Sequence, residues 1–351
     1  MTGRERLLAA YTRQPKDRVP WAPIIFKDTI SRYSPEEQEA GPIAFTKKIG
    51  ADILLRWGDF LTTRCDVPCN QREEGGRRIR EWETPAGPLR EVFQGSRLIE
   101  HKLKTKGDLA AYRHLVAHTQ YGPNPGRYDA LMAEVGDAGI VAPHIGPSPV
   151  QRLVQMEAGV DGFAYLCADC PDEMNDLIDV MHQRDLERYR IAAQTPAEVL
   201  ILVENTSTLL ISPTIYRRWS VGHVSDFCRI AHDHGKVAIV HMCGHVNDLL
   251  PDIATTGLDG IDCLTPPPTG NTTPQDAWDV IGPDLIVHGI LDPSTWIHQP
   301  AEAIAAAVEL CLTDGLKDRD FILCTAGDGL PDIPRETWDI LADTWRRVSA
   351  R

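Results

Sequence analysis

The chain has 351 residues, of which 42% are hydrophobic and 25% are charged. These values are typical of a folded globular protein and exclude a largely disordered chain. Acidic residues outnumber basic ones by 50 to 36, so the formal net charge is −14. Such a charge repels the phosphates of nucleic acids and the anionic surface of membranes, which argues against both as partners.

The sequence contains no apolar run of the roughly 20 residues that cross a bilayer. Residues 1–18 have the pattern of a charged amphipathic helix and lack the apolar centre of a secretory signal. We therefore expect no membrane span, and a cytoplasmic protein. In that reducing environment, most of the nine cysteines are expected to be buried thiols instead of disulfides.

Predicted strands alternate with amphipathic helices along most of the chain, a pattern typical of parallel α/β folds. Eight strands are predicted, and eight is the number that closes a barrel. They span residues 18–26, 51–57, 139–146, 198–205, 236–244, 259–264, 284–292 and 320–327. The sequence therefore predicts a (β/α)8 TIM barrel with an N-terminal helical extension, formed by residues 1–351 as a single domain.

Residues 70–104 interrupt this alternation. Apolar and charged residues alternate there and are separated by Gly-Gly and Pro-Ala-Gly-Pro turns, which is typical of β-hairpins. We therefore predict that this segment is a β-hairpin insertion in the barrel.

Catalytic groups of TIM barrels lie at the carboxyl ends of the strands, where the connecting loops converge. The predicted strand ends of this chain are rich in side chains that bind metals or transfer protons. The candidates taken from them are His144, Glu204, Asn205, His241, Cys243, Cys324 and Asp328. Together they predict a metal site at the mouth of the barrel.

His241 and Cys243 end the fifth predicted strand. Residues two apart on an extended strand lie on the same side, so both are expected to face the barrel axis. Imidazole and thiolate are preferred ligands of Zn²⁺, and a catalytic zinc site usually keeps one coordination position open. A third ligand is expected from the end of the eighth strand, where either Cys324 or Asp328 is suitable.

Three other strand-end residues are candidates for positioning the substrate or supplying a proton. Glu204 ends a strongly apolar strand, where loss of solvent raises the pKa of a carboxyl group towards neutrality. Its alternative role is to cap the next helix or to pair with a nearby arginine. His144 and Asn205 are expected to line the pocket, whereas Cys263 and His288 are assigned to the core.

Five segments carry a family resemblance. They are RERLLAAYTRQPKDRVPWAP at the N-terminus, LISPTIYRRW, HMCGHVNDLLPDIATTGLDGID, HGILDP and GDGLPDIPRETWDIL. In this order they resemble the uroporphyrinogen decarboxylase superfamily over nearly the whole chain. The resemblance implies a (β/α)8 barrel with an N-terminal extension.

Within that superfamily, the chain resembles the zinc-dependent methyltransferases that act with corrinoid proteins. Their His-x-Cys metal motif is matched by His241 and Cys243, and it is followed far downstream by a cysteine in a Gly-Cys-Gly turn. Asp328 stands at that position of the turn and Cys324 lies four residues earlier, so the third ligand stays open. The true decarboxylases instead carry an Arg-rich segment after the first strand and a histidine in the last turn, and this sequence has neither.

The resemblance implies a zinc-dependent methyltransferase that moves a methyl group between a small substrate and the cobalamin of a partner corrinoid protein. A methoxylated aromatic compound is the favoured substrate, with other methyl-O, methyl-N and methyl-S compounds as alternatives. The alternative functions are a related decarboxylase and a non-catalytic tetrapyrrole- or corrinoid-binding protein. The sequence leaves the direction of transfer and the oligomeric state open, a homodimer being one alternative.

Overall fold

The computed structural model describes residues 1–325 and 333–350. Its strands are β1 Ile53–Leu55, β2 Leu61–Cys65, β3 Cys69–Glu74, β4 Arg77–Thr84, β5 Gly87–Gln94, β6 Arg97–Glu100, β7 Thr119–Pro123, β8 Gly139–Val141, β9 His144–Ile145, β10 Val199–Val203, β11 Val237–His241, β12 Gly260–Leu264, β13 Ile286–Leu291 and β14 Phe321–Thr325.

The α-helices lie between and after these strands. They are α1 Gly3–Tyr11, α2 Pro35–Ile49, α3 Lys106–Ala117, α4 Arg127–Val135, α5 Pro149–Arg152, α6 Gly159–Asp169, α7 Pro171–Ala193, α8 Pro213–Ile215, α9 Val221–Asp233, α10 Leu250–Ile253, α11 Pro274–Ile281, α12 Ala301–Cys311, α13 Asp314–Lys317 and α14 Arg335–Val348. Among the helices in the described ranges, none combines the length and the apolar character needed to cross a membrane.

Most of the parallel strands form one sheet in the order β9, β10, β11, β12, β13, β14, and β1 pairs separately with β8. β8 and β9 belong to one extended segment that Pro143 interrupts, because proline has no amide hydrogen to donate. This segment joins both neighbours. Ala142 N donates to Leu55 O at 2.9 Å, and Ile201 N donates to the carbonyl oxygen of Pro143 at 3.0 Å.

The segment predicted as the first strand, residues 18–26, is not a regular strand, because two prolines remove amide donors from it. It nevertheless lies between β14 and β1. On one side Ala22 N donates to Leu323 O at 2.9 Å, and on the other Asp52 N donates to Trp21 O at 2.8 Å. These bonds complete an eight-stranded ring, and the predicted (β/α)8 barrel is confirmed.

The N-terminal helix α1 covers the amino end of the barrel, as an N-terminal extension should. Leu7 and Tyr11 are at most 1% exposed and pack in one cluster with Val199, the first residue of β10, and with the barrel residues Ile201 and Ile322. Full burial of such side chains contributes roughly 1.5–3 kcal/mol each. Side chains of α1 therefore close the amino end of the barrel, and the carboxyl ends of the strands are the place to look for a catalytic site.

Strands β3 to β6 form a four-stranded antiparallel sheet in the segment with the hairpin pattern. A buried ion cluster attaches this sheet to the barrel. Lys102 Nζ lies 2.6 Å from a carboxylate oxygen of Glu91 on β5 and 2.7 Å from one of Glu157, in the connection after β9. All three residues are at most 9% exposed. We propose that sheet and barrel form a single domain.

Candidate functional site

An aspartate in an otherwise apolar strand is the centre of the candidate site. Asp262 lies in β12, whose five residues are all buried. The pairing of β12 with β13 is irregular between Ile261 and Leu264, as in a β-bulge. Bulges re-aim neighbouring side chains and are common beside active sites. Here the bulge lets both Asp262 and the next residue, Cys263, contact side chains from other barrel strands.

Asp262 accepts hydrogen bonds from three side chains. Nδ1 of His241 lies 2.7 Å from Oδ2, while Nδ1 of His288 and Nη2 of Arg56 lie 2.6 and 2.9 Å from Oδ1. Although burial raises it, the pKa of Asp262 is held well below its usual value by the charge of Arg56 and by the two histidines. An ionised carboxylate can only accept, so each imidazole donates from Nδ1. Both oxygens are engaged, and we regard Asp262 as an orienting group instead of a metal ligand.

With Nδ1 committed to Asp262, His241 has Nε2 left for a metal. Carboxylate–histidine pairs of this kind fix the orientation of the ring in zinc sites. Burial lowers the pKa of His241, but hydrogen bonds with Asp262 and Cys243 outweigh burial and raise the pKa to about 10. Without a metal, the imidazole is therefore doubly protonated, and binding of a metal to Nε2 must release the proton on that nitrogen.

On the far side of Asp262, the network continues to the floor of the barrel. The hydroxyl of Tyr11 lies 3.0 Å from Nε2 of His288, and because Nδ1 of His288 donates to Asp262, the tyrosine is the donor. Burial lowers the pKa of His288, so this ring is neutral. His288 is fully buried and links α1 to the site, as a core residue with a polar role.

Three thiols lie beside this network. Cys263 and Cys324 are at most 1% exposed, and their sulfur atoms are 3.8 Å apart. They form a small cluster with Ile24, and Cys243 packs against it. Arg56 Nη2 donates to the sulfur of Cys324 at 3.6 Å. The hydrogen bond from Cys263 and the charge of Arg56 lower the pKa of Cys324, although burial opposes them.

These donors fit a thiophilic metal ion. One ligand atom from each of His241, Asp262 and Cys263 lies within 4.8 Å of the other two. Imidazole nitrogen and thiolate sulfur are the ligands that Zn²⁺ prefers. Of the two predicted third ligands, Cys324 lies beside this group, with its sulfur 3.8 Å from that of Cys263, whereas Asp328 falls outside the described residues.

Asn205 holds the loop that carries Cys243. The thiol of Cys243 donates to Oδ1 of Asn205 at 3.6 Å, and Nδ2 of Asn205 donates to Gln155 at 2.9 Å. Asn205 has a φ of 49°, in the left-handed region that asparagine tolerates better than most residues. The backbone amides of Glu204 and Asn205 both donate to the carbonyl oxygen of His241, at 3.1 and 3.0 Å. The ends of β10 and β11 are thereby tied together.

His144 lies on the same side of the barrel as the predicted ligands. Its ring centre is 6.1 Å from that of His241 and 4.9 Å from that of Trp57, and the Trp57 ring is in turn 4.3 Å from that of Phe26 in a tilted contact. Nε2 of His144 is buried and has no hydrogen-bond partner in the described residues. Burial lowers the pKa of His144 well below its usual value. The ring is therefore neutral, with one nitrogen free for a ligand.

Glu204 is fully buried and faces the start of α5. Its two carboxylate oxygens accept from the amide and the hydroxyl of Ser148, at 3.0 and 2.9 Å. Burial raises the pKa of Glu204 to about 7, although the bonds from Ser148 oppose the change. Glu204 therefore fixes the loop after the third barrel strand, and neither Arg217 nor Arg218 is its hydrogen-bond partner.

This raised pKa makes a prediction for stability. The folded protein keeps a proton on Glu204 that the unfolded chain loses near pH 4.5. This bound proton adds to the free energy of unfolding; its stabilising effect is complete below pH 4.5 and is lost as the pH rises through about 7. Compared with Glu204→Gln, which has no such proton, the wild type should lose about 3 kcal/mol between pH 4 and pH 8. Urea unfolding of both proteins at these pH values measures the difference.

The exposed Glu302 on α12 provides the matched control. Glu302→Gln should follow the wild type at both pH values. A stability difference between wild type and Glu204→Gln that stays constant with pH would contradict the prediction.

Sequence reasoning missed three residues of the network. The sequence patterns assign no role to Arg56, Tyr11 or Asp262. The signal available for Arg56 and Asp262 was a lone charge in an apolar strand, as in ILLRW and GIDCL, since a buried charge needs a partner. No comparable signal marks Tyr11, whose partner is 277 residues away in sequence.

Comparison with known proteins relates the chain to a family. The sequence profile described as Uroporphyrinogen decarboxylase (URO-D) matches residues 147–348. A curated relative, the uroporphyrinogen decarboxylase of Trichlorobacter lovleyi, is 22% identical over 183 residues, which are 52% of this chain and 51% of the relative. The matched part of the chain thus spans about half the length of this curated relative.

The fold is also that of a solved structure, described as a methyltransferase from Methanosarcina mazei. It superposes with a TM-score of 0.63 at 17% sequence identity, covering 99% of each chain. At this level of identity, the likeness establishes a common fold over the whole length. The chemistry must be argued from the residues of the site.

Proposed function

Because the chain belongs to the uroporphyrinogen decarboxylase (URO-D) family, we propose that it is an enzyme that transfers a methyl group between a small substrate and the cobalamin of a corrinoid protein. The observation that carries the proposal is the pairing of His241 with Asp262 beside the thiols of Cys243 and Cys324. The fold shared with the methyltransferase from Methanosarcina mazei agrees with it.

We propose Zn²⁺ as the metal of this site. His241 and Cys243 would hold it, together with Cys324 or Asp328. A zinc ion bound there would supply Lewis acidity towards the oxygen, nitrogen or sulfur atom that carries or receives the methyl group.

The remaining residues of the site orient the proposed metal ligands, bind the substrate or supply a proton. Asp262 holds the ring of His241, and Asn205 restrains the thiol of Cys243. His144, neutral and with Nε2 unpartnered, is the candidate for a hydrogen bond to the substrate heteroatom. Glu204 keeps the loop before α5 in place through Ser148 and, with a pKa of about 7, is the candidate proton donor to be tested.

The exposed ring of Trp57 packs between Phe26, to which it is tilted, and His144, with which it makes an edge-on contact, and lies beside the proposed metal ligands. Flat aromatic faces favour contact with another ring. We therefore propose a methoxylated aromatic compound as the first substrate to test, ahead of methanol, methylamines and methylthiols. The cobalamin is proposed to come with a separate corrinoid protein.

The test is a spectroscopic assay with free cob(I)alamin as the methyl acceptor. Zinc-loaded protein is mixed with a panel of methyl donors, and the absorbance of cob(I)alamin is followed. Loss of the cob(I)alamin spectrum with one class of donor is expected. Cys243→Ala should abolish it, whereas Cys228→Ala, which changes a buried thiol on α9, should not. Failure with every donor and in the reverse direction, accompanied by decarboxylation of a porphyrinogen, would replace this function by the related one.

A further inference from the structure

The ligands proposed above leave the buried thiol of Cys263 without a role. We infer that Cys263 is a further thiolate ligand of the same metal in its resting state, paired with Cys324, so that the full donor set is His241, Cys243, Cys263 and Cys324 and a substrate heteroatom binds as a fifth ligand. The inference rests on the proposed function for the presence of a metal. The inference goes beyond the proposed function in two ways. It adds a ligand that lies outside the His-x-Cys motif, and it needs no donor from residues 326–332.

The first argument is the distance between the two sulfur atoms. In a tetrahedral zinc site with Zn–S bonds of about 2.3 Å, two sulfur ligands lie about 3.8 Å apart. The sulfur atoms of Cys263 and Cys324 are 3.8 Å apart. Cys243 packs against this pair, and a ligand atom of His241 lies within 4.8 Å of the Cys263 sulfur. The four residues therefore lie around one small region of the barrel interior.

The second argument is the backbone of Cys263. Its φ is 61°, in the left-handed region that a residue with a Cβ rarely adopts. Such a conformation costs on the order of 1–3 kcal/mol and persists where the surroundings impose it, most often at functional sites. Together with the bulge in β12, it turns the thiol towards Cys324. Packing of a small side chain would not require this strain.

The third argument is the pair of groups that surrounds these ligands. Arg56 and Asp262 are both at most 1% exposed and form a 2.9 Å ion pair. Arg56 also donates to the sulfur of Cys324, and Asp262 accepts from Nδ1 of His241. Outer partners of this kind orient the ligands of metal sites. One buried ion pair therefore orients a proposed ligand on each of its two sides.

The test counts sulfur atoms around the metal. X-ray absorption at the zinc edge is measured on the reduced, zinc-loaded wild type, on Cys263→Ser and on Cys228→Ser, whose thiol is equally buried but lies on α9. Three sulfur ligands and one nitrogen are expected in the wild type and in Cys228→Ser. Cys263→Ser should have two sulfur ligands and, in competition with a chelator, a zinc affinity lower by at least about tenfold.

Several outcomes would overturn the inference. If zinc is bound with two or fewer sulfur ligands in the wild type, Cys263 is not a ligand, while the proposed function is unaffected. If neither the wild type nor Cys228→Ser binds zinc, both the inference and the proposed zinc chemistry fail. If the unreduced protein instead contains a disulfide between Cys263 and Cys324, detected as a mass lower by two hydrogens, the pair is a redox couple. The number of sulfur ligands in the wild type is measured without any variant, so the inference is tested even if Cys263→Ser misfolds.

Discussion

Replacing His241 with alanine is expected to lower zinc affinity and the rate of methyl transfer by more than about 100-fold. Loss of a residue that only hydrogen-bonds to a metal ligand costs up to about 100-fold, and loss of the ligand itself should cost more. The reason is that His241 is the one imidazole in the described residues that Asp262 orients next to Cys243. Zinc content after gel filtration and the cob(I)alamin assay measure the two effects.

His232→Ala is the matched control, because His232 is an exposed histidine on α9 that pairs with Asp259, which precedes β12, and not with Asp262. It should keep wild-type zinc content and rate. A His241→Ala protein that retains zinc and activity would show that the metal lies elsewhere.

The second large effect is expected from Asp262→Asn. This change leaves Arg56 buried with no carboxylate partner, and breaking one side of a buried ion pair typically costs about 3–5 kcal/mol. It also removes the acceptor that orients His241, so zinc affinity should fall by about 10- to 100-fold. Urea unfolding of the metal-free protein measures the first effect, and chelator competition measures the second.

Two variants separate the ion pair from general disruption. The double variant Arg56→Met with Asp262→Asn should be more stable than Asp262→Asn alone, because it removes the unpaired charge. Asp233→Asn breaks an exposed pair with Arg229 and should cost no more than about 1 kcal/mol. Equal stability of wild type and Asp262→Asn would contradict the role assigned to this network.

Most of the barrel could be predicted because its strands are short apolar runs between helices with clear ends. Strands such as VLILV and VAIVH are buried on both faces, so burial alone marks them. The segment around Pro20 and Pro23 was predicted as a strand from its apolar residues. Its place in the ring depends on hydrogen bonds to β14 at the other end of the chain, and the prolines keep it irregular.

The site was less predictable than the barrel. The period of two along a strand predicts that His241 and Cys243 face the same side, and their side chains do form a hydrogen bond, although β11 ends at His241. The same rule could not identify Cys263, because a bulge and a positive φ change the direction of its side chain. His288 was assigned to the core from its position, and its burial agrees, but its bond to Asp262 depends on a contact that no local pattern encodes.

The measurement that tests the central claim most directly is the rate of cob(I)alamin methylation by one preparation before zinc removal, after chelation and after zinc is restored. We predict that chelation abolishes methyl transfer from the best donor and that added Zn²⁺ restores it. An unchanged rate in the metal-free protein would contradict the account, as would the absence of transfer with every donor when zinc is bound.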